Sequence, residues 1–93
     1  METFLPKGIE KFLKKLRDPP TVKAFWNTVW ELEAEANRRE QKEGDGYYTK
    51  YESYHQRFTE RLAMFYRYVN TDLHILYIGE HINDRNKYSL LNI

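Results

Sequence analysis

The sequence predicts an α+β fold, with an N-terminal helical hairpin packed on a small, mostly antiparallel sheet, in a single domain over residues 1–93. Three observations predict it. Residues 1–46 hold both tryptophans and no tyrosine, and their apolar residues recur at helical spacing. Residues 47–93 hold all eight tyrosines and all three histidines, and aromatic residues fit pleated sheets. Punctuation by Pro19-Pro20, Gly44-Asp45-Gly46 and Asn70-Thr71-Asp72 divides the segments.

The elements follow in order. Gly8 to Leu16 carries Ile9, Phe12, Leu13 and Leu16 as one apolar stripe, with Lys11, Lys14, Lys15 and Arg17 off it. Pro19-Pro20 ends this helix, and Thr21 suits the N-cap of a second that runs to about Gln41. Val22, Phe25, Trp26, Val29, Trp30 and Leu32 give the second helix a broad apolar face, which assigns both tryptophans to the core. Its charged tail from Glu33 to Glu43 ends at Gly44-Asp45-Gly46.

In the back half, Leu62 to Val69 alternates as a strand. Asn70-Thr71-Asp72 supplies a turn, and Leu73 to Ile78 follows as a strand buried on both faces, ending at Gly79. Tyr47 to Ser53 reads as a third strand, while residues 57–61 fit neither pattern. A helix competes here, because Tyr51, Tyr54, Phe58, Leu62, Phe65 and Val69 also sit at helical spacing. An all-α bundle is therefore the alternative fold; tyrosine density and the Asn-Thr-Asp turn favour the sheet.

Composition removes several classes of function. The chain has no cysteine, so disulfides, thiolate metal ligands and a thiol nucleophile are ruled out. No apolar stretch approaches the ~18 residues of a membrane span, and the first residues lack a signal-peptide pattern. A soluble, cytoplasmic protein without membrane partners is expected. Fifteen Lys and Arg against 14 Asp and Glu give a net charge of +1, below the basic excess usual for nucleic-acid binders. The three histidines form no metal-ligand spacing, and no cofactor is expected.

The order of segments and several local strings resemble the RelE/ParE toxin superfamily. Leu5 to Leu16 looks like the family's opening helix, and Thr21-Val22-Lys23 onwards like its second. Phe65 to Val69, then Leu73 to His81, look like its final strand pair, and Tyr88 falls where many members carry a C-terminal tyrosine. The similarity spans most of the chain except residues 38–60. Resemblance to the RelE branch implies a ribosome-dependent endoribonuclease that cuts messenger RNA, neutralised by an antitoxin protein. Resemblance to the ParE branch implies a gyrase inhibitor without hydrolytic chemistry.

Metal-independent RNA cleavage needs a base for the 2′-hydroxyl, positive charge on the phosphate and an acid for the leaving oxygen. His81 sits where the resemblance places a basic residue or histidine, and imidazole suits acid or base work near neutral pH. Tyr88 supplies a second proton-transfer group or a stacking ring. Lys50, Arg61, Arg67, Arg85 and Lys87 are candidates for phosphate contact. Many active members carry an arginine three residues before the tyrosine matched by Tyr66. Here that position is Ala63, and Arg61 replaces it if the strand extends that far. His74, within an apolar run, reads as packed.

Phe65-Tyr66-Arg67-Tyr68 and Leu76-Tyr77-Ile78-Gly79 also look like the opening strands of a GIY-YIG nuclease. That family requires a further helix with an arginine and a metal-binding glutamate. Only 14 residues follow Gly79, which leaves no room for them. Two non-catalytic readings stand beside cleavage: a binding protein of the RelE/ParE fold, and an all-helical interaction domain.

Overall fold

A computed structural model describes residues 2–35, 47–82 and 87–93, with the side chain of Lys87 excepted. The elements run β1 (Thr3–Phe4), α1 (Lys7–Lys15), α2 (Pro19–Glu35), β2 (Tyr47–Tyr48), a 3₁₀ turn (Thr49–Tyr51), β3 (Ser53–Arg57), β4 (Leu62–Val69), β5 (Asp72–Ile82) and β6 (Lys87–Leu90). This is the expected α+β class, with two helices on one face of a six-stranded sheet. The sequence-predicted tail of the second helix to Gln41 and the Gly44-Asp45-Gly46 turn lie outside the described residues.

The strand order is β1-β5-β4-β3-β2, and β6 also pairs with β5. Only β1 is parallel to its neighbour; the other pairings are antiparallel. β1 and β6 occupy different stretches of β5, at Leu73–His74 and Gly79–Ile82. Residues 47–69 form strands rather than a helix, because alternate side chains have two different faces to fill. Met64, Tyr66 and Tyr68 face the helices, whereas Ala63 and Phe65 enter a second, smaller cluster. The expected strand from Tyr47 to Ser53 is interrupted by the 3₁₀ turn, after which Glu52 takes a left-handed φ of 49°.

In α1, Ile9 and Leu13 are buried, with Phe12 and Leu16 beside them against the main core. Pro19-Pro20 opens α2 rather than merely ending α1, since proline lacks an N–H that the first turn leaves unpaired anyway. Asp18, rather than Thr21, caps it. Its carbonyl accepts the N–H groups of Thr21 and Val22 at 3.1 and 3.2 Å, and its carboxylate accepts the Thr21 hydroxyl at 2.7 Å.

α2 turns Phe25, Thr28, Val29 and Leu32 inward. Trp26 packs at the margin, and Trp30, expected in the core, is 62% exposed. At about 100° per residue, Trp30 lies about 140° around the helix from Phe25, beyond the buried stripe. The phenol of Tyr68 donates to the Leu32 carbonyl at 2.6 Å, which joins β4 to α2 inside the core.

The β4–β5 hairpin turns at Asn70-Thr71 as expected, with Asn70 at φ 58°. Asparagine tolerates that left-handed conformation better than most residues. Further along, the register shifts between Phe65 and Tyr66: Tyr66 pairs with Ile75, but Phe65 pairs with Tyr77. Leu76 is the extra residue of a β-bulge. Before it, Leu73 and Ile75 face the helices; after it, Ile78 does. Tyr77, Gly79 and His81 are thereby placed on the other face. This also corrects the expectation that the strand is buried on both faces, for Tyr77 is exposed.

Candidate functional site

The sheet face away from the helices collects most of the chain's chemistry. Strand alternation puts His55 and Arg57 of β3 there, opposite Phe65 and Ala63 of β4. The bulge puts Tyr77, Gly79 and His81 of β5 there, and Tyr88 of β6 pairs with His81. Tyr48 and Tyr51 fold over the same surface beside Phe65, their rings stacked on each other at 5.2 Å.

Tyr88 is the centre of this arrangement. Its ring contacts His55 at 5.1 Å, His81 at 5.3 Å, Phe65 at 5.4 Å and Tyr48 at 6.5 Å between centroids, all near edge-on. Such geometry lets the positive ring edges meet the π faces. The Arg57 guanidinium donates through Nε to the Tyr88 phenol oxygen at 3.2 Å. One cross-strand row, Arg57–Ala63–Gly79–Leu90, explains how they meet. Its two middle positions are small, so the rings can lie close to the sheet. A Cβ on Gly79 would come within 2.7 Å of the Phe65 ring and 3.2 Å of the Tyr88 Cβ.

Two buried polar atoms on this face, Nε2 of His81 and Oγ of Ser53, have no hydrogen-bond partner among the described residues. Buried polar groups are ordinarily paired, so an orphaned imidazole nitrogen beside a phenol is available to exchange a proton. The Tyr88 oxygen, already accepting from Arg57, keeps its own O–H to donate. The cluster therefore holds an unpaired buried imidazole nitrogen, a phenol and a guanidinium.

The residues singled out from sequence are distributed unevenly. His81 and Tyr88 are brought together as cross-strand partners. Lys50 is exposed at the rim, its ammonium 5.4 Å from the centre of the Tyr51 ring. Arg67 lies on the same face further along β4, where Nε and a terminal nitrogen both donate to the Glu52 carbonyl at 3.1 and 2.9 Å.

Arg61 is not part of the cluster. β4 begins at Leu62, so the strand does not reach it, and its guanidinium pairs with Glu80 at 2.6 Å on the helix side. Its backbone carbonyl does accept the His81 N–H at 2.7 Å. Arg85 lies outside the described residues; of Lys87 only the backbone, paired with Ile82, is placed. His74 is packed as expected, stacked on Phe4 at 4.7 Å.

Sequence reasoning missed Arg57, and with it His55. The available signal was the i, i+2 spacing of His55 and Arg57, legible once Ser53–Arg57 is taken as a strand. Arg57 stands directly across the ladder from Ala63, the position where the resemblance leads one to expect an arginine. Among the described residues no three His, Asp or Glu gather as a metal site, and no helix is long and apolar enough to cross a membrane. Comparison with protein-family models, with curated proteins and with solved structures finds no match.

Proposed function

We propose that this protein is a ribosome-dependent endoribonuclease of the RelE type, cutting messenger RNA without a metal and held in check by an antitoxin protein. The observation that carries the reading is Tyr88, bonded by Arg57 and flanked edge-on by His55 and His81 on an aromatic sheet face. In this scheme the His81 imidazole takes the 2′-hydroxyl proton. The 2′-oxygen attacks phosphorus, and the 5′-oxygen leaves with a proton from Tyr88 or the His55 imidazolium. The products are a 2′,3′-cyclic phosphate and a 5′-hydroxyl.

Arg57 supplies the phosphate charge expected at position 63, with Lys50 and Arg67 along the strand path. Tyr48, Tyr51 and Tyr77 offer rings for unstacked bases, as single-stranded RNA recognition requires. A net charge of +1 gives little general attraction for RNA, ribosomal RNA included, so on this reading binding rests on these local contacts.

A second reading is non-catalytic binding through the same face, as in a gyrase inhibitor of the ParE type. It is favoured by the burial of Tyr88, which is only 7% exposed. Primer extension on programmed ribosomes separates the two. A new cut in the decoding site, absent from messenger alone and lost in His81→Ala, supports the nuclease. No cut, together with inhibition of supercoiling, replaces it with the second reading.

A further inference from the structure

A cavity lies on the opposite side of the sheet from Tyr88. It is a half-open groove of about 610 Å³ between the helical hairpin and the β3–β4 turn. That volume is within the roughly 300–1,000 Å³ of ligand pockets. Its floor is apolar, built from Phe12, Leu16, Leu62 and Leu91, and its mouth carries the carboxylates of Asp18, Glu60 and Glu80 against one cation among the described residues, Arg61.

The charges are arranged for exchange. Arg61 and Glu80 form an ion pair whose side chains are 77% and 41% exposed, and such pairs contribute little to stability. An incoming cation can therefore take Glu80 at small cost. Asp18 already accepts the Thr21 hydroxyl and caps α2, so it is held in place beside the groove it lines. The β3–β4 turn is fixed beside it: the N–H groups of Phe58 and Thr59 bond to the Leu62 carbonyl, and the Thr59 hydroxyl accepts the Leu62 N–H at 2.9 Å. Floor and rim are both preformed.

We infer that this groove docks a segment of a partner protein carrying a bulky apolar side chain flanked by lysine or arginine. The apolar anchor fills the floor over Phe12 and Leu16, and the flanking cations meet Glu60 and Glu80. The charge excess at the mouth selects this occupant over an acidic or neutral peptide, by potential complementarity. The inference does not depend on nuclease activity at the other face.

The test is fluorescence anisotropy with labelled ten-residue peptides of a central Leu-Trp pair flanked by Lys and Arg, or by Asp and Glu. The expected result is binding of the basic peptide at least tenfold tighter than the acidic one, weakened by salt and at least fivefold by Glu60→Lys. Glu60 is exposed and makes no core contact, so that variant should fold. Amide shift changes on titration should map to residues 59–62, Asp18 and Leu91.

Equal affinity for both peptides, an unchanged affinity in Glu60→Lys, or shifts mapping to the Tyr88 face would each overturn the inference. Phenethylamine displacing the peptide at equal concentration would assign the groove to a small amphipathic amine instead. Self-association by sedimentation, abolished by Glu60→Lys, would assign it to a second copy of this chain.

Discussion

Arg57 and Tyr88, 31 residues apart in the chain, meet over a floor made of Ala63 and Gly79. The relation depends on two small residues in adjacent strands as much as on the two that bond. It also brings a guanidinium from the strand beside Ala63, the position where the resemblance implies an arginine.

Removing either partner tests whether that bond serves chemistry. Tyr88→Phe keeps the ring contacts and loses the oxygen, so stability should fall by about 1 kcal/mol, in the range of a single hydrogen bond. Ribosome-dependent cleavage should fall at least tenfold by primer extension. A loss of stability with cleavage intact would confine Tyr88 to a structural role.

Gly79→Val should be much more disruptive. Its first added carbon would meet the Phe65 ring and the Tyr88 Cβ, and overpacking of this kind costs about 1–3 kcal/mol. Urea unfolding reads the loss directly. The tyrosine fluorescence of the folded protein should change as well, because the aromatic cluster must rearrange.

Tyr68→Phe addresses the main core. The Leu32 carbonyl loses its phenol donor, and losing one such hydrogen bond costs about 0.5–1.5 kcal/mol. Activity at the opposite face should survive once the variant is folded. The contrast with Tyr88→Phe is thus measurable in two assays.

Trp30 should separate cleanly from Phe25 in α2. Trp30→Ala is expected within about 0.5 kcal/mol of the parent, as for surface changes generally. Phe25→Ala, at 0% exposure, should cost about 3–5 kcal/mol. Thermal unfolding of the pair decides whether the buried stripe is placed correctly.

Deleting Leu76 removes the bulge but not the phase it creates. Tyr77 then follows Ile75 directly in a regular ladder, so Ile78 stays toward the helices and Gly79 and His81 stay on the other face. The expected outcome is cooperative urea unfolding with Tyr88 still beside His81. A deletion variant that loses cooperative unfolding would show that the sheet needs the local twist of the bulge itself.

Local physics wrote much of this fold into the sequence. The stripe Ile9, Phe12, Leu13 and Leu16 defines α1, proline chemistry separates the helices, and Asn70-Thr71 turns the central hairpin. Each depends on residues a few positions apart, so spacing suffices to find it. His81 and Tyr88 are singled out through the resemblance rather than through spacing.

Phase and partnership were not legible. Period-two alternation carried on from Leu73 assigns Gly79 and His81 to the helix side, and only the pairing of β5 with β4 reveals the extra residue at Leu76 that reverses it. The same holds for Arg57. Beyond its i, i+2 spacing with His55 nothing near it in sequence indicates a role, because its partner lies on β6, three ladder pairings away. Sequence spacing determines which residues share an element; which elements share a face is decided by the sheet register, and that is a property of the folded chain.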